Sequence, residues 1–147
     1  MPSLSSLPLF SNYYLFRAGI NPSWEDPFNQ GGGRWVANIS EPSRPQQQQL
    51  SSTHTQTDAH WMEAVKSVVG AQYGGGNEAV CGVVASLRSK QNKVALWIRN
   101  ARDLQQRALI GEVFKQKLSG MPRPDSSYDM TRVDFESHDQ CLMRSTR

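Results

Sequence analysis

The chain has 147 residues, 37% of them hydrophobic, which suffices for one real core and leaves too little for a second independent domain. Its net charge is +3 and its pI near 9.1, so any preference for polyanions must come from local clustering among 16 Lys and Arg. Cys81 and Cys141 are too few for a disulfide framework or metal knuckle, and His54, His60 and His138 show no ligand spacing. Reduced thiols in a cytosolic or nuclear protein are expected, with no cofactor and no metal. No apolar run is long enough to span a membrane, and "MPSLSSLPLF" lacks both the basic and the continuous apolar region of a signal peptide.

In chain order, "NYYLFRAGI" and "GRWVANI" read as extended segments, separated by Pro22, Pro27 and three glycines that break any helix. Residues 40–57, polar, glutamine-rich and proline-bearing, have no side chains to offset ordering entropy and are expected to form a mobile loop. Asp58 then serves as N-cap of a helix whose apolar stripe is Trp61, Val65, Val68 and Val69, ending at Gly70. "VCGVVASLR" and "KVALWIR", joined by the polar "SKQN", form a hairpin whose turn region carries Arg88, Lys90 and Lys93. Asp103 caps a second helix, with Gln106 in the capping-box position and Leu104, Ala108, Val113, Phe114 and Leu118 as its buried face; Gly120 and Pro122 stop it. "TRVDFES" alternates as a half-buried strand does, and a polar tail with Arg144 follows. Without strict βαβ alternation, the pattern favours an α+β fold, a mainly antiparallel sheet backed by helices.

One stretch carries chemistry. "WEDPFNQGGGRW" places Trp24 and Glu25 on a loop that cannot bury the indole completely. An indole face holds a planar or cationic group by stacking and cation–π attraction, on the order of 1–3 kcal/mol per stacked base. A carboxylate beside it can accept two parallel N–H bonds, and guanine offers N1–H and its N2 amine for that fork. The pair therefore describes a site for guanine, better still for one made cationic by alkylation. Arg34, Arg88, Lys90 and Lys93 on adjoining turns are placed to hold the phosphates of such a nucleotide. The blander alternative is that Trp24 and Trp35 anchor a turn while Glu25 and Asp26 are solvated.

At these residues the chain resembles the eukaryotic translation initiation factor 4E family, which binds the 7-methylguanosine cap of messenger RNA. The likeness runs from about residue 7 to 144: "YYLFRAGINPSWEDP" followed by "GGGRW", Trp61 with Glu63 in the helix, "VCGVV" with "LRSKQNKVALW", "IGEVFKQKL" and "ESHD" fall in the family's order. The resemblance implies a curved antiparallel sheet with helices on its convex face. It makes Trp24 a cap-stacking tryptophan, Glu25 the reader of guanine N1 and N2, and Trp97 the contact to the N7 methyl. Arg88 and Lys93 become phosphate-binding cations, Arg34 a more peripheral one, and Arg144 a counterpart of a lysine near the phosphates. Trp35 and Trp61 are expected in the core, and Lys90 as a solvated turn charge or distant phosphate contact. Met62, Glu63, Val69 and Gly70 fall at positions facing the initiation scaffold protein and the related repressors; Lys66 stands where an apolar residue is usual.

The chain departs from the family pattern before "NYYLF": no residue matches the opposing cap-stacking tryptophan, and the opening strands and first dorsal helix have no counterpart, so the fold is expected to be N-terminally incomplete. Losing one stacking face is expected to cost about tenfold to hundredfold in affinity. Two functions follow. One is a non-catalytic cap binder serving translation initiation; the other is a protein-interaction or decoy module with weak or no cap binding. An enzyme is not indicated, since no nucleophile with its base, no P-loop and no metal cluster is present.

Overall fold

The computed structural model describes residues 4, 7–8, 10–39, 55–88, 91–119 and 132–145, without the side chains of 55, 141, 142, 144 and 145. Its described elements are β1 (Asn12–Phe16), β2 (Gly33–Ile39), α1 (Thr55–Val69), a 3₁₀ segment (Gly74–Ala79), β3 (Val80–Ser86), β4 (Asn92–Ile98), α2 (Leu104–Leu118), β5 (Val133–Ser137) and α3 (His138–Ser145). The strands form one curved, wholly antiparallel sheet in the order β1-β3-β4-β2-β5. The α+β reading and the β3–β4 hairpin hold.

Strand alternation sorts the side chains onto two faces. Ala37 and Ile39, Val83 and Ala85, and Val94, Leu96 and Ile98 enter a core closed by Trp61, Ala64 and Val65 of α1 and by Ile110, Phe114 and Leu118 of α2. Val36, Val84, Ala95 and Trp97 lie on the other face in a smaller cluster with Cys81, against which Phe16, Ile20 and Trp24 pack. Helices α1 and α2 thus cover one face and leave the other to the chain between β1 and β2 and to the start of α3.

Several local expectations change. Asp58 is not an N-cap: α1 starts at Thr55, and the Asp58 carboxylate instead accepts a 2.6 Å hydrogen bond from the backbone N–H of Leu4, whose side chain is fully buried. Residues 55–57 are therefore helical, while 40–54 of the expected mobile loop lie outside the described residues. Val69 does not join the α1 stripe but is 73% exposed. In α2 the Asp103 cap stands, its side chain accepting from the Gln106 N–H at 3.1 Å, but Leu104 and Ala108 face outward. The buried face runs through Ile110, Gly111, Phe114 and Leu118, because a Cβ on Gly111 would come within 2.3 Å of the Trp35 ring; the bare glycine lets the helix approach that indole. What reads as a polar tail after β5 is α3. Gly120, Pro122 and Lys90 lie outside the described residues.

Candidate cap-binding site

The loop between β1 and β2 is built by its own polar side chains. Asp26 turns inward, its carboxylate accepting the backbone N–H groups of Asn21 and Phe28, both at 2.9 Å. Asn29, fully buried, donates its amide to the carbonyls of Asn21 (2.8 Å) and Ser23 (2.7 Å). Gly31 has a φ of +74°, and a Cβ on Gly32 would lie 2.1 Å from the Ile98 carbonyl oxygen, so the turn into β2 requires glycine at both places. The adjacent acids thus separate: Asp26 holds the loop, and Glu25 stays exposed, its carboxylate without a hydrogen-bond or ion-pair partner among the described residues.

On the open face, Tyr14, Trp24, Glu25, Arg34, Arg88 and Trp97 line one cavity of about 360 Å³, with Val84 and Ser86 from β3. Trp24 is half-buried, and its ring stacks on that of His138 at 6.0 Å between centroids and 16° between planes. His138 also touches Trp97, at 4.5 Å and 53°, and Trp97 meets Phe16 edge-on at 5.4 Å. His138 thus lies alongside Trp24 in an offset, near-parallel stack on the protein side of the indole. The imidazole Nδ1 lies 2.8 Å from the Asn29 carbonyl oxygen, which can only accept, so this nitrogen carries the proton. His138 Nε2 and Trp97 Nε1 are buried and find no hydrogen-bond partner among the described residues. Burial is the main force lowering the His138 pKa below the ordinary histidine range, opposed by the Asn29 bond.

The cations differ in freedom. Arg88 is fixed by donating Nη1 to the Leu87 carbonyl (2.8 Å) and Nη2 to Asn12 Oδ1 (2.9 Å), and no carboxylate pairs with it among the described residues. Its charge points at the cavity, unneutralised. Arg34 reaches the same cavity but forms an ion pair with Glu136, Nη2 to Oε2 at 2.9 Å, across the β2–β5 ladder. Lys93 lies off the cavity wall, half-buried on the same sheet face as Trp97 by strand alternation. Arg144 is on α3, its side chain outside the described set. On α1, Met62 is 41% exposed, Gly70 ends the helix in the open, and Glu63 is bridged to Lys66 at 3.2 Å. Trp61 is buried in the core, and Trp35 packs beside it, donating Nε1–H to the Arg107 carbonyl at 3.1 Å.

Sequence reasoning missed Asn12 and Tyr14 as cavity residues and His138 as the layer behind Trp24. The alternation Asn12, Tyr14, Phe16 would have placed the first two once β1 was paired with β3. Nothing local marks His138, whose anchor Asn29 is 109 residues away.

Together the fold and cavity define a helix-backed antiparallel sheet whose open face carries an aromatic platform, a free acid and an unpaired cation. The model of the eukaryotic initiation factor 4E family matches residues 1–147, and the chain belongs to that family. It is 31% identical over 142 residues to eukaryotic translation initiation factor 4E-1 of Caenorhabditis elegans, covering 97% of this chain and 63% of that protein. To the human type 1B factor it is 32% identical, over 96% of this chain and 52% of the relative. The chain thus spans less than two-thirds of the length of these relatives. Caenorhabditis elegans initiation factor 4E-3, solved with the 4E-binding protein Mextli and a cap analog, superposes with a TM-score of 0.78 at 33% identity, covering 97% of this chain and 71% of that one. The Ascaris suum 4E-3 factor in complex with an m7G cap gives 0.75 at 32% identity, over 94% and 68%.

Proposed function

We propose that the open-face cavity binds the 7-methylguanosine cap of messenger RNA and that the chain serves translation initiation as a non-catalytic cap binder. The observation that carries this reading is the convergence of Trp24, Glu25, Arg88 and Trp97 on one cavity. The methylated purine stacks on the outer face of Trp24, where its positive charge meets the indole π density. The Glu25 carboxylate accepts N1–H and the N2 amine, and as it has no competing partner among the described residues, reading the base displaces only water. Trp97 sits beside the N7 methyl, Arg88 takes the phosphates, and Lys93 lies further along their path; Arg144 joins the set on the family resemblance alone. Arg34 contributes less, because Glu136 already occupies it. Related structures captured with cap ligands support the reading.

The test is quenching of intrinsic tryptophan fluorescence by 7-methyl-GTP and GTP. The reading expects clear preference for the methylated nucleotide, and a loss of about tenfold to hundredfold in Glu25→Ala, the worth of a charge-assisted pair of hydrogen bonds. Equal, weak quenching by both nucleotides ends it.

A second reading is favoured by α1. Met62 and Val69 are exposed apolar side chains seven residues apart, hence on one helix face. That face suits an apolar segment of the initiation scaffold or a repressor; the superposed 4E-3 factor is bound to a 4E-binding protein. The chain would then act as an interaction or decoy module. Pull-down with a scaffold peptide discriminates: binding indifferent to Met62→Ala and Val69→Ala removes this reading.

A further inference from the structure

We propose that His138 is a positioning residue for the base platform: clamped to the Asn29 carbonyl, its imidazole fixes Trp24 from behind and reserves the outer indole face for ligand. The inference takes its ligand from the cap-binding reading, but one readout below does not need that ligand.

Three contacts carry it. The offset stack, 16° between planes and 6.0 Å between centroids, sets the imidazole against the inner side of Trp24. The 4.5 Å contact to Trp97 ties the same ring to the second cavity tryptophan. The 2.8 Å bond to Asn29 fixes the ring's orientation, and Asn29 is also the residue that folds the Trp24 loop through its two amide bonds. Residues from two ends of the chain thereby hold one indole in register with the cavity. In addition, the His138 backbone N–H donates to the Gly32 carbonyl at 3.0 Å, so the start of α3 is pinned to the end of that loop.

The charge state of the ring bears on recognition. A neutral imidazole behind Trp24 leaves the indole π density to a cation on the outer face. A protonated one would draw on the same density and place a second positive charge across the ring. It would also turn Nε2 into a buried donor, where no acceptor is found among the described residues. The charged groups acting on the ring are Arg34 of β2, which disfavours protonation, and Asp139 of α3, which favours it. Burial outweighs Asp139, and the neutral form prevails at neutral pH.

The experiment compares wild type, His138→Phe and His138→Ala for 7-methyl-GTP binding by fluorescence quenching at about pH 7 and about pH 5, spanning the ordinary histidine range, with a thermal melt to establish folding. Phenylalanine keeps an aromatic slab and cannot be protonated. It is expected to bind within about threefold of wild type at pH 7, and the ratio of wild-type to Phe-variant affinity is expected to fall by threefold or more at pH 5. Ligand protonation is common to both proteins and cancels in that ratio. Folded His138→Ala is expected to lose about tenfold at pH 7. Wild-type affinity in folded His138→Ala, or a ratio unchanged with pH, overturns the proposal. If wild type fails to bind 7-methyl-GTP, the cap reading fails instead. Acrylamide quenching of the ligand-free protein, referenced to Trp24→Phe, then still decides: Trp24 should become more accessible in wild type on going from pH 7 to pH 5, and unchanged accessibility sinks the clamp.

Discussion

The two faces of the sheet are built from the same strands and do opposite work. On the helix-covered face, alternate residues of β2, β3 and β4 meet α1 and α2 in a core that includes Trp61, Leu96, Ile98, Ile110 and Phe114. On the open face, the intervening residues form a cluster small enough to leave a 360 Å³ cavity, and there the buried ring nitrogens of Trp97 and His138 lack partners. On the covered face Trp61 Nε1 is likewise buried without a hydrogen-bond partner among the described residues, so the two faces differ in what covers them and not in how fully their polar atoms are satisfied. One strand such as β4 thus sends Val94, Leu96 and Ile98 into the covered core and Trp97 to the open-face cavity, on opposite sides of one backbone.

If that division is real, substitutions on the two faces should separate stability from binding. Phe114→Ala, which opens a cavity under α2, should destabilise by about 3–5 kcal/mol, read as a lowered denaturant midpoint. Gly111→Ala should cost about 1–3 kcal/mol, since its methyl would meet Trp35. Neither should alter nucleotide preference in the folded fraction, and a change there would break the comparison. On the open face Arg88→Ala should leave the melting temperature nearly unchanged, weaken 7-methyl-GTP binding by about tenfold and flatten its salt dependence.

The acid limb of stability sharpens the picture. The folded-state pKa of His138 is depressed, so above the unfolded value of about 6.5 both states are neutral and the group contributes nothing unfavourable. As pH falls below that value the unfolded chain takes up a proton that the buried ring resists, and stability declines until the folded pKa is passed. His138→Phe should remove this share of the decline in equilibrium unfolding between about pH 6.5 and pH 5. Smallest of all, Lys66→Ala should shift stability by no more than about 0.5 kcal/mol, because its bridge to Glu63 is largely solvent-exposed.

Much of the covered face was readable in the sequence, because its signals are local. The branched runs of β3 and β4 and the Asp103 cap lie within a few residues of what they specify. Failures occurred where a distant partner decided the outcome. Asp58 looks like a cap, yet the backbone of Leu4 claims its carboxylate and α1 begins upstream. The α2 stripe was misjudged because contact through Gly111 is invisible to a count of apolar side chains. α3 escaped notice because its residues are mostly polar, and its first residue matters through Asn29 and Trp24. Glu25, Arg88 and Trp97 could be nominated from residue type and order, but that they share a cavity with Asn12 and Tyr14 required the pairing of β1 with β3.

Should the cavity hold a nucleotide as proposed, the Arg34–Glu136 pair bears on how its phosphate tail is graded. A guanidinium already satisfied by a carboxylate can turn to a phosphate only by leaving that carboxylate behind, so the gain is a difference between two pairings and is small. Mono-, di- and triphosphate forms of one nucleoside should therefore be ranked mainly by Arg88 and Lys93, with Arg34 acting less as a grip than as a rivet between β2 and β5.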